Sequence, residues 1–190
     1  MNVVIFGPPG AGKGTQSKFI VEKFDMFQLS TGEFLRKEIS KNTTIGKKIS
    51  SVINAGGLVS DQIVSDLIEK VISNNKYQNR IIFDGYPRNL NQAKNLDNLL
   101  KNYKQKIDIV LKLSVSLETI KRRISERRAL EKRTDDNEDI AIKRYETYEK
   151  STEPVIEYYK KMNLLKVIDG ERSIDQINKE ISDLMAVIES

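Results

Sequence analysis

The chain contains no cysteine and no histidine. Without thiols there is no disulfide framework, thiolate zinc site, iron–sulfur cluster or cysteine nucleophile. Without imidazole, the usual general base at neutral pH and most transition-metal sites are absent too. Long apolar runs are also missing. The opening Met1-Asn2-Val3-Val4-Ile5-Phe6 turns glycine-rich at once, so no basic stretch followed by an apolar segment of about 7–15 residues forms a secretory signal. No run approaches the roughly 20 apolar residues of a membrane span. These absences predict a cytoplasmic protein with no membrane partner, although an organellar matrix protein freed of its transit peptide would read the same.

What is present suffices for one folded unit. With 190 residues, 38% hydrophobic and 31% charged, the chain can bury a sizeable core with room for a small lobe, and disorder is excluded as its main state. The net charge of +5 raises the question of nucleic acid, and placement decides it. Lysines are scattered along the whole chain, whereas six of the ten arginines fall between Arg122 and Arg144, interleaved with Glu126, Glu131, Asp135, Asp136 and Glu138. That suits a local anion clamp. No recognition module or stacking aromatic array accompanies it, so no nucleic-acid partner is expected.

Short apolar runs alternate with longer amphipathic stretches. Val3 to Phe6 precedes a helix-like Lys13 to Phe24, Arg80 to Phe83 precedes Asn89 to Tyr103, Ile109 to Leu113 precedes Leu117 to Arg128, and Leu164 to Ile168 precedes Ile174 to Ile188. This rhythm predicts an α/β fold whose parallel sheet is covered by helices on both faces. A short strand at Gln28-Leu29 brings the sheet to about five strands. Two segments break the alternation and are candidates for mobile lobes. Three helical patterns without a strand, Thr31 to Ser40, Thr44 to Asn54 and Asp61 to Ser73, read as a helical insertion after the second strand. Lys41-Asn42 and Gly56-Gly57 break it, with Ser60 as a helix N-cap. Asp135-Asp136-Asn137-Glu138 reads as a short exposed loop between two helices.

Gly7-Pro8-Pro9-Gly10-Ala11-Gly12-Lys13-Gly14-Thr15 follows the first strand and opens a helix, the pattern of a phosphate-binding loop. Glycines let successive backbone N–H groups turn inward around phosphate oxygens, the helix N-terminus adds positive potential, and Lys13 reaches the terminal phosphates. Gly14 stands where the general pattern has a magnesium-binding Ser or Thr. Thr15 and Asp84 are then the available oxygen ligands. Asp84 closes a buried strand at the edge where the loop lies, placing it to hold magnesium through bound water.

Three further stretches, Ser30-Thr31-Gly32-Glu33-Phe34-Leu35-Arg36, Gly56 to Asp61, and Asp84-Gly85-Tyr86-Pro87-Arg88-Asn89-Leu90-Asn91-Gln92, go beyond what one bound nucleotide requires. In order and spacing the chain resembles the nucleoside monophosphate kinases, and among them the adenylate kinase family, over essentially its whole length. The resemblance implies a P-loop three-layer fold: core 1–29, 74–122 and 145–190, a monophosphate-binding insertion 30–73 and a lid region 123–144. It also implies reversible, magnesium-dependent transfer of a phosphoryl group from ATP to AMP, giving two ADP, in a monomer.

By that resemblance Gly10, Ala11, Gly12, Lys13, Gly14 and Thr15 hold the donor phosphates. Arg36 and Arg88 clamp the acceptor phosphate through bidentate hydrogen bonds. Thr31 and Gln92 read the acceptor base, where pyrimidine monophosphate kinases tend to have alanine and asparagine, and Gly32, Leu58, Val59 and Gly85 line its pocket. Arg123 lies beside the donor adenine with the backbone of Gly170, while Arg127, Arg133 and Arg144 neutralise transferring phosphates, Arg133 and Arg144 serving both nucleotides. Asp135 and Asp136 orient these arginines or hinge the lid. Where long forms of the family carry an extra lid, sometimes with zinc, this chain has only Ala129-Leu130-Glu131-Lys132, which implies the short form without zinc.

The chemistry agrees with the composition. A phosphate acceptor is already ionised near neutral pH, so a chain without histidine can transfer to it by alignment and charge neutralisation alone. ATP and AMP together bring about six negative charges, which magnesium, Lys13, loop amides and five or six arginines match. A pyrimidine monophosphate kinase of the same fold and a nucleotide switch without transfer activity are the competing readings. The second phosphate clamp and the lack of an Asn-Lys-x-Asp motif oppose the switch.

Overall fold

The computed structural model describes residues 1–55, 57–131 and 138–189. Five strands, β1 (Val3–Phe6), β2 (Phe27–Ser30), β3 (Ile81–Asp84), β4 (Ile109–Ser114) and β5 (Leu165–Asp169), form one sheet in the order β2-β3-β1-β4-β5. Every pairing is parallel. β1 is central and wholly buried, as expected for a strand covered on both faces.

Alternation along the strands sends side chains to two cores. Val4, Phe6, Leu29, Ile81, Phe83 and Val110 face one side, and Val3, Ile5, Ile82, Ile109, Leu111 and Leu113 the other. α1 (Lys13–Phe24) and α8 (Ile174–Glu189) cover the second face through Ile20, Ile177, Ile181 and Met185. α5 (Leu90–Asn102) and α7 (Glu138–Lys161) cover the first through Ala93, Leu96, Leu100, Val155, Ile156 and Tyr159. α6 (Leu117–Glu131) packs Ile120 and Ile124 against Ala141 of α7.

Between β2 and β3 the expected helical insertion is α2 (Thr31–Ser40), α3 (Thr44–Asn54) and α4 (Asp61–Ile72), followed by one 3₁₀ turn at Asn75–Tyr77. Its apolar stripe is continuous with the main core: Leu35, Ile49, Val59, Val64, Ile68 and Ile72 belong to the cluster built on β1 and β3. Burial of this kind is worth about 1.5–3 kcal/mol per large aliphatic side chain, so α4 is anchored to the sheet. Ser60 is the N-cap residue of α4 as expected, but its side chain makes no cap hydrogen bond. The favourable first-turn charge comes from Asp61. α2 is capped by Ser30, whose hydroxyl accepts from the Glu33 N–H at 3.4 Å, which leaves the neighbouring Thr31 hydroxyl for other work.

Candidate active site

The phosphate loop turns from β1 into α1 through Gly10 (φ 83°) and Gly12 (φ 97°), a left-handed backbone that favours glycine. A side chain on Gly10 would also lie 3.1 Å from Ile124 and 3.2 Å from the Ile120 carbonyl, so the loop rests directly on α6. Ala11 is buried, whereas Gly14 and Thr15 are exposed in the first turn of α1, where backbone N–H groups have no helical acceptor. The Lys13 ammonium folds back onto the loop, donating to the carbonyls of Gly7 at 2.7 Å and Pro8 at 3.1 Å.

Beside the loop, the C-terminal ends of β1 and β3 and the start of α2 open into a concavity. It brings together Lys13, Thr31, Gly32, Arg36, Leu58, Val59, Gly85, Arg88, Gln92 and Arg144, which come from five separate stretches of chain. Thr31 donates its hydroxyl to the Gly85 carbonyl at 2.9 Å, and Arg88 Nε donates to the same oxygen at 2.7 Å. Gly85 adopts φ +79°, and a Cβ there would stand 2.9 Å from Thr31 Oγ1 and 3.1 Å from Arg88 Nη2. The arginine is thereby held against backbone in the wall of the cavity. The Arg36 guanidinium lies along Gly32, 3.4 Å from where a Cβ would sit. Gln92 is buried; its Oε1 accepts from the Arg88 N–H at 2.7 Å and its Nε2 donates to Asp61 at 2.7 Å.

The cavity is strongly cationic. Burial pushes the Lys13 ammonium from its ordinary 10.5 down to about 8, with Asp84 opposing and Arg88, Arg144 and Arg127 adding to the fall. Burial likewise lowers the Arg88 guanidinium to about 10, reinforced by Arg144 and Arg36 and opposed by Asp84; it stays charged at neutral pH. Lys13 and Arg88 thus sit within the field of Arg36, Arg127 and Arg144 as well as of Asp84, a local concentration of positive charge that suits a polyanion.

This sets the sign of a proton linkage. In the nucleotide-free protein Lys13 destabilises the fold when charged, and the penalty is relieved as pH rises from about 8 to 10.5. Bound phosphate favours the charged form, so binding should take up a proton when Lys13 begins partly neutral. Calorimetry of ATP binding in buffers of different ionisation enthalpy is expected to show net uptake at about pH 8.5 and none from this group near pH 6.5. Uptake unchanged in Lys13→Met would assign the proton elsewhere.

Asp84 ends β3 with Oδ2 accepting from Gln28 Nε2 at 3.0 Å. A single ordered carboxylate beside a phosphate loop fits magnesium, which is held by one or two carboxylates, water and substrate phosphates rather than by an all-protein cage. Among the described residues no group of three or more acidic side chains forms such a cage. On the far side of the loop, Arg123 donates to the Ala11 carbonyl at 3.3 Å and the Gly170 carbonyl at 2.9 Å, tying the loop to the turn after β5. A Cβ on Gly170 would meet Val115 at 2.7 Å. Glu171 secures the same corner by accepting from the Ser116 N–H at 2.6 Å and the Thr119 hydroxyl at 2.7 Å. These bonds hold its carboxyl down at about 2. Arg127 and Arg144 are both half-buried and act electrostatically on Lys13. Gly56, Lys132, Arg133, Asp135 and Asp136 lie outside the described residues.

Sequence reasoning missed one wall. Thr147, Tyr148, Ser151 and Thr152 of α7 line the concavity beside Arg144; standing 3, 4, 7 and 8 residues after it, they share its helix face, a signal the sequence did carry. Thr152 donates to the Arg88 carbonyl at 3.3 Å. Asp61 and Gln28, which hold Gln92 and Asp84, carried no such signal.

A parallel sheet with a phosphate loop at its carboxyl edge, and a second arginine-lined pocket across from that loop, define a P-loop phosphotransferase with two anionic substrates. The adenylate kinase family model matches residues 5–164. The chain is 43% identical to the adenylate kinase of Pelagibacter ubique, covering 98% of this chain and 100% of that protein. It is 42% identical to that of Prochlorococcus marinus over 97% and 98%, and 36% identical to that of Archaeoglobus fulgidus over the full length of both. The chain belongs to the adenylate kinase family. That membership favours ATP:AMP phosphotransfer over the pyrimidine monophosphate kinase alternative.

Proposed function

We propose that the concavity over Thr31, Gly85 and Gln92 binds AMP, and that the loop 7–15 with Arg123 and Gly170 binds ATP, so that the two phosphate chains meet at Lys13. The observation that carries this reading is the convergence of Lys13, Arg88 and Arg144 on one cavity beside the phosphate loop. An ionised oxygen of the AMP phosphate attacks the γ-phosphorus of ATP. The new P–O bond forms as the bond to the ADP leaving oxygen breaks, and no protein group needs to take a proton. Arg36 and Arg88 hold the acceptor phosphate in line. Lys13, Arg123, Arg127, Arg133 and Arg144 neutralise charge spreading over the transferring group. Asp84, through water, and Thr15, exposed in the first turn of α1, would hold a magnesium ion, which would supply positive charge to offset that of the donor phosphates.

The working units are the core 1–29, 74–122 and 145–190, the AMP-binding insertion 30–73 and the short lid 123–144, without zinc. One chain supplies both described pockets, which supports a monomer. Among the described residues no helix is long and apolar enough to cross a membrane, and we place the enzyme in the cytoplasm acting on free nucleotides rather than nucleic acid. The test is ADP formation from ATP and magnesium with AMP, CMP, UMP or GMP in turn. AMP-selective turnover that Gln92→Asn loosens is expected; equal turnover with CMP or UMP would overturn the pocket assignment.

A further inference from the structure

Gln92 has an amide that presents one of two hydrogen-bond faces, depending on which way it is turned. Its NH₂ carries two donors and its oxygen two lone pairs. Half of this capacity is already used. Nε2 donates to Asp61 Oδ1 at 2.7 Å, and Oε1 accepts from the Arg88 backbone N–H at 2.7 Å. Asp61, as a carboxylate, can only accept, and the Arg88 N–H can only donate. Turning the amide over would set its oxygen against the carboxylate and its NH₂ against the N–H, breaking both bonds and replacing them with two repulsions. The Asn89 side chain braces the same carboxylate from Nδ2 at 3.0 and 3.3 Å, while its Oδ1 accepts from the Gln92 N–H at 2.8 Å.

We propose that Asp61, the first residue of α4, is a positioning residue that locks the Gln92 amide so that the acceptor pocket takes 6-aminopurine and rejects 6-oxopurine monophosphates. This rests on the reading of Gln92 as the residue that meets the acceptor base. With the lock in place, one N–H and one lone pair remain for the base. A 6-aminopurine offers the matching pair, an acceptor at N1 and a donor at the 6-amino group. A 6-oxopurine offers the reverse, a donor at N1–H and an acceptor at O6, and a freely turning glutamine would serve either. Asp61 is exposed, so its removal opens no core cavity. It also joins the insertion to α5, so the amide is set only when the two are docked.

The experiment measures steady-state phosphoryl transfer from ATP to AMP and to IMP for the wild type, Asp61→Ala, Asp61→Asn and Gln92→Ala, with a thermal midpoint for each. In Asp61→Ala the ratio of kcat/KM for AMP over IMP is expected to fall about tenfold, with the loss on AMP lying in KM. Asp61→Asn, which keeps an acceptor oxygen, should fall between it and the wild type, and Gln92→Ala should lower the ratio at least as far as Asp61→Ala. An unchanged ratio in Asp61→Ala beside a lowered one in Gln92→Ala would overturn the lock and leave the base-reading role intact. An unchanged ratio in Gln92→Ala would overturn that role and the lock with it. A merely structural Asp61 would depress transfer to AMP and IMP alike and lower the thermal midpoint, which also overturns the proposal.

Discussion

Replacing Arg88 with methionine is expected to lower kcat/KM for AMP by about a thousandfold or more, while leaving the thermal midpoint of the nucleotide-free protein unchanged or raised. Both halves follow from the same burial. The guanidinium is held out of water beside Arg144 and Arg36, and its charge is disfavoured there, as its fall to about 10 records. Removing it relieves like-charge crowding at once. The cost in hydrogen bonding is small, because the Gly85 carbonyl keeps the Thr31 hydroxyl at 2.9 Å. The acceptor phosphate, by contrast, loses the planar fork that would hold two of its oxygens, and lysine cannot reproduce that geometry. Initial rates and a melting curve on one preparation check the pair of expectations. Activity within tenfold of wild type, or a marked fall in the melting temperature, would show that Arg88 is structural rather than substrate-facing.

Gly46→Val is expected to cost about 3 kcal/mol or more, lowering the melting temperature by roughly 10 °C for a chain of this size. Gly46 lies in the first turn of α3, capped by the Thr43 hydroxyl at 2.9 Å. A Cβ there would stand 2.1 Å from the Glu38 carbonyl oxygen and 2.9 Å from the Ile39 Cα. Those contacts are backbone, so they cannot swing aside, and α2 and α3 must separate. α2 carries Thr31, Gly32 and Arg36, so on the proposed site assignment KM for AMP should rise while ATP affinity, assigned to the loop 7–15 and α6, holds. Differential scanning fluorimetry and ATP titration measure the two effects. A melting temperature within about 2 °C of wild type would mean the helices yield without strain, and equal loss on both nucleotides would mean the damage is global.

The alternation of strands and helices, the glycine-rich loop at 7–15 and the insertion at 30–73 were legible in the chain because each is local. Period-2 and period-3.6 patterning set which residues can share a face, and left-handed turns call for glycine at Gly10 and Gly12. The bounds of β1, α1, α2 and α3 coincide with the apolar and helical runs read from sequence, while β2 proved two residues longer at Phe27–Ser30. Lys13 and Asp84 stood out for the same reason, since a charged group at the end of a buried strand or within a glycine turn has few structural uses; Arg88 was marked by the family resemblance.

What tertiary structure decided is pairing across distance. Arg123 meets Ala11 and Gly170, 112 and 47 residues away. Gly46 is required by the approach of a second helix rather than by its own turn. Gln92 receives its orientation from Asp61, 31 residues earlier in the chain. A hydrogen bond between side chains on different elements depends on distances of a few tenths of an ångström and on which atom faces which, and no periodicity in a sequence encodes that. The chain by itself determined where the glycine-rich loop would lie, because its turns are local; packing alone decided which way the Gln92 amide turns.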